Sequence, residues 1–159
     1  MHRRMSSAFS SEDYQASVTE LKRITKPGGY IELVEYDTVC KQRGPTWTLF
    51  QDTFNAALLA GGSLTTDVSN LGAFLTGMES VESDYASFPI GWHGPIGEST
   101  RQNSDIFLQV VRPIIKSKLG YTDDQYDQKI QQIRKEWSQY KTWANAYYAY
   151  AKKGDGSVP

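Results

Sequence analysis

Cysteine and histidine are scarce in this chain. Its 159 residues include one cysteine, Cys40, and two histidines, His2 and His93. A single cysteine cannot form a disulfide within the chain or supply the several thiolates of a zinc site. A histidine-based metal centre or a Ser-His-Asp triad would need one of the two histidines, and neither has neighbours that suggest such a site. We therefore predict no metal, and the single thiol is compatible with a reducing compartment.

An excess of one charge and a long apolar run are also missing. The formal net charge is -1, from 17 basic and 18 acidic residues, so no general basic field favours nucleic acid. No apolar run approaches the length of a membrane span. The basic start lacks the apolar segment of a secretory signal, and we interpret it as the opening of a truncated domain rather than as a transit peptide. These features predict a cytoplasmic or nuclear protein without a membrane or nucleic-acid partner.

Apolar and aromatic residues are sufficient for one domain with a real core. They make up 39% and 13% of the sequence, respectively. We predict one domain over residues 1–152 and a flexible tail over residues 153–159.

The segment over residues 20–36 has the pattern of a helix, a tight turn and a strand. Ser10 is a good N-cap, and a stripe at four- and three-residue spacing follows it: Tyr14, Val18, Leu21 and Ile24. Pro27 ends the helix, and Gly28-Gly29 permits a sharp reversal. Tyr30 to Tyr36 has apolar residues on both faces, which indicates a strand covered on both sides in an α/β sheet.

The remaining pattern predicts further helices and one or two strands. Helices are expected over residues 46–60, 67–76, 105–119 and 122–144, with Pro113 as a kink or break. Strands are expected over residues 78–90 and 146–151, and the glycines and prolines of residues 89–97 indicate a loop.

The helix-Lys26-Pro27-Gly28-Gly29-strand segment resembles the fourth helix and fifth strand of class I S-adenosylmethionine-dependent methyltransferases. Further pieces resemble, in order, the fungal members of the secondary-metabolism regulator type. They are His2-Arg3-Arg4-Met5, Pro89-Ile-Gly-Trp92, the helical stretch from Val110 to Gln125, and Ala146 to Lys152. The resemblance covers nearly the whole chain, as the C-terminal half or so of a methyltransferase domain.

The resemblance implies a partial Rossmann-like sheet of about three strands with helices on both faces. Its last strand would be antiparallel and would insert between the two strands before it. The implied function is methyl transfer from S-adenosylmethionine to an unknown small-molecule or protein acceptor.

The glycine-rich turn that binds the cofactor in this family is not recognisable in the sequence. Gly61-Gly62 follows a helix, residues 91–97 are not followed at once by a clear helix, and Gly154-x-Gly156 lies in the tail. We therefore expect the isolated chain to bind S-adenosylmethionine poorly, and whether it is an enzyme stays open.

Candidate site residues follow from the rule that ligands of open α/β sheets lie beyond the carboxyl ends of the strands. Glu35 is the candidate base or acceptor-orienting group, the alternative being a polar strand end. His2 and Arg3 are candidates for the cofactor. Tyr36, Asp37 and Trp92 are candidates for the substrate, although a tryptophan in such a loop more often simply packs.

A second interpretation is a non-catalytic interaction module or an inactive fragment. Without the early strands of the family, the sheet would have an unpaired edge. Strand addition by a partner, or self-association with another copy, could use that edge.

Overall fold

The computed structural model describes residues 2–3, 8–37, 39–63 and 68–155, with side chains from residue 8 onward. Within these residues, four helices and four strands follow one another, with one 3₁₀ segment. In chain order they are β1 (His2–Arg3), α1 (Ser11–Ile24), β2 (Tyr30–Tyr36), α2 (Pro45–Ala60), the 3₁₀ segment Val68–Leu75, β3 (Glu79–Pro89), α3 (Gly94–Leu119), α4 (Asp123–Gln139) and β4 (Trp143–Lys152).

The strands form one sheet in the order β1-β2-β4-β3. β1 is parallel to β2, and β4 is antiparallel to β2 with Leu33 opposite Ala149. Side-chain contacts pair Tyr150 with Glu82, and Ser87 with Asn145, so β3 and β4 also run in opposite directions. The α/β class and the antiparallel insertion of the last strand are therefore confirmed, with four strands rather than three.

The chain divides into two compact units, which we describe separately. The first contains residues 1–37, 61–86 and 146–159, and the second contains residues 38–60 and 87–145.

In the first unit, α1 and the 3₁₀ segment pack on one face of the sheet. The buried residues of this core are Tyr14, Val18, Ile31, Leu33, Leu71, Leu75, Ala149 and Ala151. On the other face of β2, Tyr30 is 64% exposed and Tyr36 is 39% exposed. The prediction that β2 is covered on both sides is therefore wrong within this unit, because a tyrosine can keep its ring on a sheet and its hydroxyl in water. Ile24, at the end of α1, is also exposed rather than buried.

In the second unit, α2, α3 and α4 surround a core rich in aromatic residues. Its buried members are Cys40, Trp47, Phe50, Ile90, Leu108, Val111, Ile115, Tyr126, Ile130, Ile133, Trp137 and Ala144. The α4 stripe is confirmed as far as Trp137. The helix ends at Gln139, because Lys141 has a left-handed backbone (φ 56°) that starts the turn into β4.

α3 differs most from its prediction. It begins at Gly94 rather than at Asp105, and Pro113 lies inside it without ending it. Pro95 suits the first turn because the amide that it lacks would have no partner there. The polar run over residues 98–104 hid this first part of the helix.

Three smaller boundaries also differ. The predicted helix over residues 67–76 is the 3₁₀ segment, and Asp67 lies outside the described residues. β4 is longer than predicted, since it begins at Trp143. Lys153, assigned to the tail, donates its N–H to the Gly29 carbonyl (2.7 Å) and accepts the N–H of Gly28 (2.8 Å). The rest of that tail is described only as far as Asp155.

Candidate functional site

Glu35 is a buried carboxylate near the carboxyl end of β2. Alternation along the strand places Ile31, Leu33 and Glu35 on the face that α1 covers, and Glu35 is 0% exposed. The hydroxyl of Tyr14, from the first turn of α1, donates to Glu35 Oε1 over 3.3 Å. A buried carboxyl group with a specific partner at this edge of the sheet is the most distinctive polar feature of the first unit.

Tyr14 is held in the protonated form. Burial raises the pKa of its phenol, and the adjacent Glu35 raises it further by charge repulsion and by accepting its hydrogen bond. Across the ordinary pH range Tyr14 is therefore a hydrogen-bond donor that orients one oxygen of Glu35.

A second tyrosine lies beside Glu35. Tyr147 of β4 is directly opposite Glu35 in the β2–β4 register, so the two side chains share one face. The Tyr147 ring also contacts that of Tyr85, with centroids 5.8 Å apart. The carboxylate thus has an aromatic surround that limits the access of water and strengthens polar interactions at the site.

The parallel strand β1 ends at the same edge of the sheet. His2 is opposite Leu33, and Arg3 is opposite Val34, one residue before Glu35. These two residues therefore form the strand itself and do not lie beyond its end. Their side chains lie outside what the structure describes. The backbone of His2 and Arg3, the two candidates for the cofactor, nevertheless lies at the same edge of the sheet as Glu35.

Tyr36 and Asp37 follow Glu35 but do not share its surroundings. Alternation turns Tyr36 to the opposite, partly exposed face of β2. Asp37 is half-buried, just after the end of the strand. A ligand above the carboxyl edge could reach Asp37 directly, whereas Tyr36 would contact a group on the other side of the sheet.

Trp92 belongs to the second unit, where its side chain has local partners. Its indole N–H donates to the carbonyl of Thr142 (2.6 Å), and the ammonium of Lys141 lies 5.4 Å from the ring centroid. These contacts fix a half-buried ring in the turn between β3 and α3. These contacts are those of a packing residue, as is common for a tryptophan in such a loop.

Among the described residues, a strand, a glycine-rich turn and a helix follow one another once, at β3-Gly91-Trp92-His93-Gly94-α3. The expectation that no helix follows this loop at once is therefore wrong. We tested whether the turn could hold a nucleotide-like cofactor. A Cβ atom on Gly97 would overlap the backbone of Trp92, and one on Gly91 would lie 3.4 Å from Trp137 Cβ. The space at Gly91 and Gly97 is filled by the chain itself, whereas a Cβ atom on Gly94 would meet nothing within 4 Å.

Glu136 is a buried carboxylate that the sequence argument missed. It is 4% exposed on α4, and its oxygens accept the backbone N–H groups of Thr46 (3.2 Å) and Trp47 (2.9 Å) at the beginning of α2. It therefore fills the role of a cap from a distant helix. The available signal was an acidic residue next to Trp137, on the edge of the buried α4 stripe.

The described ranges contain neither a candidate metal site nor a candidate membrane-spanning helix. No group of three or more histidine, cysteine, aspartate or glutamate side chains could hold a metal ion there. No helix in the same ranges is both long and apolar enough to cross a bilayer.

No protein-family model matches this chain, and no curated protein matches it. Among solved structures it is similar to phosphoethanolamine N-methyltransferase 2 of Haemonchus contortus, in complex with phosphomonomethylethanolamine and S-adenosylhomocysteine. The identity is 13%, the match covers 96% of this chain and 32% of that chain, and the TM-score is 0.47. The chain thus spans about a third of the length of that protein. Its fold class is established by its own strand order and helix packing.

Proposed function

We propose that this chain takes part in methyl transfer from S-adenosylmethionine to a small-molecule or protein acceptor, and that it supplies the acceptor side of the site. The observation that carries the proposal is the buried Glu35 at the carboxyl edge of β2, which accepts a hydrogen bond from Tyr14. Two elements of the methyltransferase resemblance support it. The Pro-Gly-Gly segment joins a helix to a strand, and β4 inserts antiparallel between β2 and β3.

In this proposal Glu35, which is 0% exposed, becomes accessible when the acceptor binds, accepts a hydrogen bond from the acceptor's hydroxyl or amine and orients it. Methyl transfer depends mainly on the alignment of the reacting atoms, so a fixed carboxylate is more useful than a mobile one. Tyr14 fixes one oxygen, and Asp37 would contact the acceptor at the strand end. The chain itself fills the space at Gly91 and Gly97 of the turn before α3, which supports our placing the main cofactor contacts outside the described residues.

The test is a nuclear magnetic resonance titration of the ¹⁵N-labelled chain with S-adenosylhomocysteine, up to about 10 mM because binding is expected in the millimolar range. We expect shifts confined to the amides of β1, the end of β2 and the start of α1. A Glu35→Gln variant should give shifts of similar size, because Glu35 is assigned to the acceptor and not to the cofactor. Micromolar affinity would overturn our placement of the main cofactor contacts. Shifts only elsewhere, or none, would overturn the proposed function.

A second candidate function is an interaction module that uses the outer strand β3. Residues 79–87 of this strand are all exposed, and β3 lies at the end of the sheet order. Such an edge can accept another strand. β3 contains Glu79, Glu82 and Asp84 and no basic residue, which favours an extended partner segment with lysine or arginine over a second copy.

Hydrogen exchange distinguishes this second candidate. An extended peptide of alternating valine and lysine should slow exchange of the β3 amides, and salt should weaken the effect. A peptide of alternating valine and glutamate is the matched control. Unchanged β3 exchange with both peptides would exclude pairing at this edge.

A further inference from the structure

The outward face of α3 is apolar over about three turns. Ile106, Val110 and Ile114 follow at intervals of four residues, so they form one stripe along the helix. They are 64%, 71% and 39% exposed, respectively. The opposite side of the same helix is buried in the core of the second unit through Leu108 and Ile115. α3 therefore has two apolar faces, of which only one is covered by the described residues.

The residues around this stripe are mostly polar and uncharged. The other exposed positions between residues 102 and 118 are Gln102, Asn103, Gln109, Pro113, Ser117 and Lys118, so the one charge lies at the C-terminal end of the stripe. Solvent-facing helix surfaces are normally charged, as on α1, where Glu12, Asp13, Glu20 and Arg23 are exposed. Depletion of charge around exposed apolar side chains is the composition of an interface centre.

The charged side chains between residues 102 and 117 form ion pairs within the second unit. Asp105 forms ion pairs with Arg101 (2.5 Å) and Arg134 (2.9 Å). Arg112 pairs with both Asp123 (2.8 Å) and Asp127 (2.7 Å). Lys116 also pairs with Asp123 (2.6 Å), so Lys118 is the one charge at the end of the outward face, and a partner centred on Val110 would have no ion to desolvate at the middle of the interface.

The stripe is also symmetrical about its middle residue. Ile106 and Ile114 lie four positions on either side of Val110, and Asn103 and Ser117 lie seven positions on either side. Two copies of α3 packed antiparallel around a two-fold axis would place Val110 against its own copy and Ile106 against Ile114 of the partner. A two-fold interface requires such self-complementarity, and in this arrangement Lys118 lies opposite Gln102 of the partner, so no like charges meet.

We propose that this face of α3 is a homodimer interface with Val110 on the two-fold axis. The stripe from Ile106 to Ile114 extends over about 12 Å, and together with the flanking positions Asn103 and Ser117 the face extends over about 21 Å. One helix face of that length falls in the smallest class of specific interfaces, below about 1,200 Å² in total. The dimer should therefore be reversible, with a dissociation constant of about 10–100 µM.

Sedimentation equilibrium over about 1 µM to 1 mM tests this proposal, since that range brackets the expected constant. The unchanged chain should pass from monomer to dimer. Val110→Lys should weaken association by at least about tenfold, because it places like charges together on the axis. Gln131→Lys, at an exposed position of α4, is the matched control and should dimerise as the unchanged chain does. Circular dichroism establishes that each variant is folded.

A charge exchange tests the symmetry itself. Val110→Glu and Val110→Lys should each be monomeric alone, and their mixture should form a heterodimer at least about tenfold tighter than either homodimer. A chain that is monomeric at every concentration would overturn the interface. Equal dimerisation of Val110→Lys and Gln131→Lys would also overturn it. A mixture that fails to associate, while the unchanged chain dimerises, would overturn the placement of Val110 on the axis.

Discussion

Glu136 holds the beginning of α2 through two backbone bonds, and its removal should be costly. Glu136→Ala leaves the N–H groups of Thr46 and Trp47 buried without their acceptor. We expect the free energy of unfolding to fall by about 2–4 kcal/mol. Denaturant unfolding measures it. Gln131→Ala, at an exposed position of the same helix, should change it by less than about 0.5 kcal/mol. Equal effects of the two variants would contradict the capping role.

Gly44 provides an independent check of the same contact. A Cβ atom at this position would lie 2.5 Å from Glu136 Oε2 and 2.6 Å from its Cδ. Gly44→Ala should therefore destabilise the chain by about 1–3 kcal/mol, as overpacking does. In the double variant with Glu136→Ala the overlap is gone, so the combined loss should be smaller than the sum. If the two losses in free energy of unfolding simply add, the methyl group at position 44 is accommodated without contacting Glu136.

Tyr14 should make stability depend on alkaline pH. The phenol titrates near pH 10 in the unfolded chain and at higher pH when it is folded beside Glu35. Above about pH 10 the folded state therefore binds more protons, and the free energy of unfolding falls as pH rises. Tyr14→Phe should make that fall shallower in urea titrations between about pH 9 and 11. Burial also raises the pKa of Tyr126, to about 12, so some slope should remain. Gln131→Ala, at an exposed position of α4, removes no titrating group, so it is the control and should leave the slope unchanged.

At the scale of elements, α4 has a complete capping box. The Thr122 hydroxyl accepts the N–H of Gln125 (3.2 Å), and the Gln125 side chain accepts the N–H of Thr122 (2.9 Å). Thr122→Ala should lower the free energy of unfolding by about 1 kcal/mol. Gln128→Ala, an exposed substitution later in α4, serves as the comparison. A loss no larger than that of the comparison would mean that the box contributes nothing to stability.

Elements with strong local signals were predictable from the sequence. Ser10 and Pro27 bracket α1, and the capping box and apolar stripe define α4, because the local chain alone determines caps, turns and periodicity. The part of α3 before Asp105 is not predictable, since its polar residues show no stripe and its glycines resemble a loop. Pro113 predicts a kink or break, yet packing on both sides of it keeps α3 continuous.

The candidate site was predictable only in part. Strand alternation and the edge rule selected Glu35, and the Tyr14–Glu35 bond depends on how α1 packs against β2. Tyr14 is 21 positions away in sequence, and its spacing marks it only as a core residue. Glu136 serves a helix 90 positions earlier, a distance that no local pattern reveals.

At the scale of the whole molecule, the arrangement of the chain predicts how the two units unfold. β3 and β4 each begin in one unit and end in the other, so neither unit can unfold completely while the other keeps its strands intact. We therefore expect one cooperative transition.

The four tryptophans make this expectation measurable. Trp47, Trp92, Trp137 and Trp143 all belong to the second unit, so their fluorescence reports on that unit alone. Far-ultraviolet circular dichroism reports on helices and strands of both units. The two signals should give the same midpoint and the same slope in urea. A Glu136→Ala variant, which weakens only contacts inside the second unit, should shift both signals together. If fluorescence moved to lower urea while part of the circular dichroism change stayed in place, the shared strands would not couple the units, and each unit would have its own stability.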